Sequence, residues 1–137
     1  MTARSAEIQI HVACHAADHH VHRVPLRALM VGDLLAVHRR TEFGYCESAV
    51  GGPRFVRYRS VWWVTHLPTG KCVIPTADAM KLTDSRRGFR TRAAAIAAAR
   101  GLLRHHGSYL ADVNMPDRKT YAAVKAYMCR AIRRSFA

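Results

Sequence analysis

The chain is short of acid. Its 137 residues include 9 Asp or Glu against 22 Lys or Arg, for a formal net charge of +13. The few carboxylates form no motif, which weakens a metal-dependent nuclease, since such enzymes group carboxylates around their ions. No apolar run approaches the roughly 20 residues that a membrane-spanning helix needs. The opening "MTARSAEIQIHVAC" lacks the basic head and apolar stretch of a secretory signal. The cysteines Cys14, Cys46, Cys72 and Cys129 form no Cys-x-x-Cys pair, so reduced thiols in a cytoplasmic protein are the simplest expectation. There is no Gly-x-Ser-x-Gly elbow, P-loop or dinucleotide fingerprint, and no cofactor is expected.

What is present is an apolar half, enough to bury a core, in a chain the size of one domain. Charge is unevenly placed. Residues 1–50 balance Arg4, Arg23, Arg27, Arg39 and Arg40 against Glu7, Asp18, Asp33, Glu42 and Glu47. All the remaining basic residues follow, against Asp78, Asp84, Asp112 and Asp117 only. Gly51-Gly52-Pro53 punctuates the change. The expectation is a single domain over 1–137, with a neutral β-rich half at 1–50 and a basic hairpin plus two helices at 54–137. A field of this kind attracts polyanions.

"EIQIHVA", residues 7–13, alternates apolar and polar positions as a half-buried strand does. Leu26, Leu29 and Met30 fit one helical turn after Pro25. Leu34 to Arg39 reads as a strand, with Phe43 to Val50 pairing back on it as a hairpin. Phe55 to His66 has period two, placing Val56, Tyr58, Trp62 and Val64 on one face and Arg57, Arg59 and Trp63 on the other. Leu67-Pro68-Thr69-Gly70 is a turn, and Lys71 to Ile74 returns as its partner strand. Residues 76–90 read as an irregular basic connection. Thr91 suits the N-cap of a helix over 91–106, stopped by Gly107. A second helix, 116–134, repeats Tyr121, Val124, Met128 and Ile132 at helical spacing, which predicts its buried face. The expected fold is α+β: a small antiparallel sheet with two C-terminal helices packed on one face.

Two segments have the chemistry to hold an anionic partner. Arg57, Arg59 and Trp63 would share the outward face of the hairpin, with Arg54 and Lys71 as further candidates beside them; arginines grip phosphates and an exposed indole stacks on an unpaired base. "SRRGFRTR" places Arg86, Arg87, Arg90 and Arg92 at the approach to a helix N-terminus, a natural phosphate site. Arg100 and Arg104 flank the apolar stripe of that helix. Solvated arginines and a tryptophan packed on each side of a sheet are the plain alternative for both segments.

The run from Arg54 to Leu103 resembles the AP2-like fold and is similar to the arm-type DNA-binding domains of phage tyrosine integrases. The likeness rests on a basic strand, a Thr-Gly turn, a second strand and a helix opened by Phe89, Thr91, Arg92 and Ala95. It implies a sheet laid in the DNA major groove with Arg57, Arg59, Trp63 and Lys71 as contacts. The long segment 76–90 and the second helix depart from that pattern, and no integrase catalytic domain is present.

His11, Cys14, His15, His19 and His22 could ligate zinc, but their spacing fits no standard finger. His38 or His66 could serve a metal-free ribonuclease as general acid or base. The leading expectation is a non-enzymatic nucleic-acid-binding protein, DNA ahead of RNA, of the kind found as a phage or mobile-element accessory factor. The alternative is a phage-type inhibitor or adaptor, anti-CRISPR-like, that presents its arginines to an acidic surface of a host protein complex. A small ribonuclease toxin is a third reading.

Overall fold

The computed structural model describes residues 4–13, 21–43, 55–111 and 118–137; within these, the side chains of 11–13, 21–24, 42–43, 55–58, 84 and 118–119 fall outside the description. Five antiparallel strands lie in sequence order: β1 (Arg4–Ala13), β2 (Val21–Val31), β3 (Leu35–Phe43), β4 (Phe55–His66) and β5 (Lys71–Cys72). A short helix α1 (Ala77–Met80), a 3-10 turn (Asp84–Arg86) and the helices α2 (Arg92–Ala111) and α3 (Arg118–Ser135) follow. The fold is α+β. Among the described residues no helix is long and apolar enough to cross a membrane.

The main core lies between the sheet and the two long helices. Val31, Leu35, Val37 and Val64 face Ala95, Ala99 and Leu102 of α2 and Val124, Met128 and Ile132 of α3. Alternation along β3 and β4 sends every second residue to this layer. Alanines on α2 keep its surface low, so α3 packs close: a Cβ on Gly101 would overlap the Tyr127 hydroxyl. Thr91 caps α2 as expected, its hydroxyl accepting the Ala94 N–H at 3.1 Å. The other sheet face carries a smaller cluster of Ile8, Ile10, Leu26, Ala28 and Ala36.

Several expectations change. Residues 26–30 are strand, not a helical turn, because Leu26 and Ala28 alternate into the second cluster while Pro25 and Arg27 face solvent. β3 runs on to Phe43 and pairs with β4, so the sheet crosses the boundary in charge. The expected 43–50 hairpin strand falls mostly outside the described residues. The first helix does not stop at Gly107. It kinks at His106 (φ −134°, ψ 23°) and continues to Ala111, which carries Leu110 into the core. On α3, Val124, Met128 and Ile132 are buried, but Tyr121 is 52% exposed. The segment 76–90 is also no loose connection. Met80 and Phe89 are fully buried, and Phe89 forms an isolated bridge with Trp62 through two 2.8 Å backbone hydrogen bonds. It therefore extends pairing along the β4 edge that β5 is too short to cover.

Candidate nucleic-acid interface

The two tryptophans point to opposite faces of β4, and both are half-buried. Trp63 lies on the face away from α2 and α3. Its indole N–H donates to the Arg87 carbonyl at 2.8 Å. The Arg87 and Arg40 guanidinium carbons lie 4.9 and 5.4 Å from its ring centroid. Arg87 in turn donates through Nε to the Pro75 carbonyl (2.9 Å) and through a terminal nitrogen to that of Ile74 (3.1 Å). Arg87 and Trp63 thus tie the 82–90 segment to the sheet. Val61 and Thr65, on the same face, are 3% and 1% exposed. Gly88 brings the chain close against Val61, Trp62 and Trp63, so this part of the face is not open.

Trp62 lies on the helix-side face, near the N-terminus of α2, where Arg92 places its guanidinium 5.9 Å from the ring centroid. It borders a groove of about 330 Å³ that includes Ser5, Arg27, Leu29, Arg39 and Arg92. The sheet makes this groove. β2 and β3 are in register only at Leu29–Val37, Met30–Ala36 and Val31–Leu35. Beyond Leu29 the strands part. Arg27 lies two residues beyond Leu29 and Arg39 two beyond Val37, so side-chain period two sets both on the groove's side. Arg39 is opposite Trp62 in the β3–β4 register and donates through Nε to the Arg59 carbonyl at 3.0 Å. Among the described residues no acidic side chain lines the groove; Glu7, the register partner of Arg27, is not among its lining residues.

From Arg92 the basic surface continues to the end of the molecule where α2 begins and α3 ends. The Arg90 N–H donates to Ser135 Oγ (3.1 Å), and the Arg86 guanidinium carbon lies 5.5 Å from the Phe136 ring centroid. Arg86, Arg90, Arg92 and Arg134 are exposed there. Arg133 is committed to the Met80 carbonyl, with Nε at 2.9 Å and a terminal nitrogen at 2.7 Å. Arg100 and Arg104 are exposed farther along α2, about 12 and 18 Å from Arg92 along the axis. Lys71 is exposed on β5 and lines a different cavity with Lys125, Tyr109 and Tyr121. Arg59 is half-buried, only the backbone of Arg57 is described, and Arg54 lies outside the described residues.

Arg86, Arg90 and Arg92 are therefore brought together. Trp63 and Arg87 serve to hold the segment in place, and Lys71 stands apart. Sequence reasoning missed Arg27, Arg39 and Trp62. The spacing of Arg27 from Leu29 reveals the first once residues 26–30 are taken as strand instead of a helical turn.

The remaining candidates are quickly placed. Cys14, His15 and His19, and the side chains of His11 and His22, lie outside the description. Among the described residues no three His, Cys, Asp or Glu gather as metal ligands would. His38 is buried, with Nδ1 donating to the Arg39 carbonyl (2.9 Å) and Nε2 2.7 Å from the Thr65 hydroxyl. Burial pushes its pKa below the ordinary 6.5, against a raising contribution from the Arg39 carbonyl. His66 is fully buried, with Nε2 donating to the Leu110 carbonyl (2.6 Å) and Nδ1 2.9 Å from Thr69 Oγ1. Both imidazoles are thus engaged at both nitrogens, as structural histidines are. Burial also pushes the Cys72 thiol up, outweighing the lowering by the Ile74 backbone and the Arg87 and Arg40 charges; this favours the protonated, unreactive form.

No family model, curated protein or solved structure matches the chain.

Proposed function

We propose that this chain is a non-enzymatic nucleic-acid-binding protein. Its interface is the groove between β2 and β3 together with the arginines around the start of α2. The observation that carries the reading is the convergence of Arg27, Arg39 and Arg92, from three separate elements, around Trp62, with no acid among the described lining residues. Arginines contact phosphates as planar multidentate donors, and an aromatic ring beside them offers a base a stacking partner. The exposed Arg86, Arg90 and Arg134 extend the field to the neighbouring helix ends. The arm-type integrase resemblance, carried by Phe89, Thr91, Arg92 and Ala95, favours DNA ahead of RNA. Phe89 and Ala95 are buried, Thr91 caps α2 and Arg92 lies beside Trp62.

An acidic protein surface is the less supported partner. Stable protein interfaces centre on apolar or aromatic anchors. Among the described residues the large apolar side chain standing exposed is Tyr121, which is not among the residues that line the groove.

The test is fluorescence anisotropy of the full chain with labelled oligonucleotides across a salt series. Affinity should fall with a log–log slope of several units. For duplex DNA, Arg90→Ala plus Arg92→Ala should reduce that slope by about 0.9 for each phosphate contact removed. Binding no tighter than about 10⁻⁴ M at physiological salt, or a slope untouched by the double substitution, would sink the proposal.

A further inference from the structure

Resting on that nucleic-acid reading, we infer that the Trp62 groove selects an unpaired strand: one base stacks on or beside the Trp62 indole while Arg27, Arg39 and Arg92 hold the flanking phosphates. A groove of about 330 Å³ accommodates a single nucleotide-sized group and cannot admit the body of a duplex. In a duplex the base faces are stacked on one another, so a duplex offers this groove phosphates alone. An unpaired strand offers phosphates and a free π-face together, which is the combination the groove presents in reverse.

Trp62 is half-buried, so its ring is held by the main core instead of turning freely in solvent. A held ring loses little entropy when a base stacks on it. The half-buried Leu29 supplies apolar surface beside it, which suits a base better than a phosphate. Arg92 is exposed, on the first residue of α2, with its guanidinium 5.9 Å from the ring centroid. It can swing onto the outer face of an incoming base and close a guanidinium–base–indole stack, since guanidinium planes stack on aromatic faces. Trp63, by contrast, donates its N–H to the Arg87 carbonyl and has Arg87 and Arg40 beside its ring. The two adjacent tryptophans thus have separate tasks: Trp63 anchors the 82–90 segment, and Trp62 receives the base.

The experiment compares a labelled oligothymidylate of about 20 nucleotides, its RNA counterpart and a duplex of equal length, with the full chain at fixed salt. The single strands should bind at least about tenfold more tightly than the duplex; the RNA arm reports whether the sugar matters. Trp62→Ala should weaken single-strand binding about 5- to 150-fold, the range for loss of one base–aromatic stack. Duplex affinity should fall by a clearly smaller factor, and the single-strand salt slope should not change, because an indole releases no counterions. Trp62→Phe keeps a ring and should recover most of the loss, which separates stacking from a folding defect that circular dichroism would also reveal. Equal or tighter duplex binding, or equal weakening of both forms by Trp62→Ala in a folded protein, overturns the inference and leaves nucleic-acid binding intact. Absence of binding to all three probes overturns the parent proposal as well.

Discussion

Replacing Gly88 by Ala tests how the arginine-bearing segment is held. Gly88 has φ +142°, a region L residues avoid, and an added Cβ would stand 2.9 Å from the Trp62 carbonyl oxygen and 3.0 Å from both Trp63 Cδ1 and Val61 Cβ. The nearest of these atoms is backbone, which cannot rotate away. Two costs add. The strained backbone costs about 1–3 kcal/mol. Pushing the segment outward loosens the pair of 2.8 Å hydrogen bonds between Phe89 and Trp62, each contributing about 1 kcal/mol. A total of about 3–5 kcal/mol follows. With an unfolding entropy of about 2.1 cal/mol/K per residue, a chain of this length loses about 3.5 °C per kcal/mol, so Tm should fall by about 10–17 °C. A thermal melt followed by circular dichroism reads it directly. Gly107→Ala is the control: a Cβ there meets nothing within 4 Å, and its effect should stay within about 1 kcal/mol, in the stabilising direction. A Gly88→Ala protein that melts within about 3 °C of the parent would refute the close approach, and with it the account of how the segment carrying Arg86 and Arg90 is held.

Two further predictions concern the core. His38 is held neutral, with its folded pKa below the 6.5 of the unfolded chain, so its contribution to stability is complete above pH 6.5 and is lost as pH falls toward the folded value. Urea midpoints between pH 5 and 7.5 should therefore rise with pH, with at most about 1.4 kcal/mol per unit from this residue, and His38→Gln should flatten the slope; an unchanged slope would contradict the assignment. On α3, Met128→Ala should cost about 2–5 kcal/mol because the side chain is fully buried, whereas Tyr121→Ala should stay within about 0.5 kcal/mol. Comparable losses in chemical denaturation would mean that the exposed position of Tyr121 is wrong.

Much of the architecture was legible because it is local. Period two in Phe55 to His66 announces β4, Thr91 announces the start of α2, and Val124, Met128 and Ile132 announce the buried stripe of α3. Each signal is a repeat or a cap spanning a few residues, and the physics that reads it acts over the same distance. Tyr121 shows where such reading stops. It keeps the helical spacing of the stripe, yet lies in the first turn of α3, where its side chain stands exposed beside Lys125, whose nitrogen is 5.5 Å from its ring centroid. Residues 26–30 show it again, since Leu26, Leu29 and Met30 satisfy one helical turn and a strand equally well. Only pairing with β1 along their full length decides between them.

The sequence by itself determined that the chain is cationic, that the excess is concentrated after Pro53, and that a sheet precedes two amphipathic helices. These follow from composition and short-range periodicity, which need no knowledge of neighbours. Tertiary structure alone decided which arginines lie together. Arg27, Arg39 and Arg92 are far apart in the chain and meet because β2 parts from β3 just where α2 begins. It also decided which tryptophan faces that groove, since the alternation of β4 separates Trp62 from Trp63 without saying which side a later segment will cover. Gly88 and Phe89 settle that by laying the chain over Trp63 and along the β4 edge, a contact between residues more than twenty positions apart that no local pattern encodes.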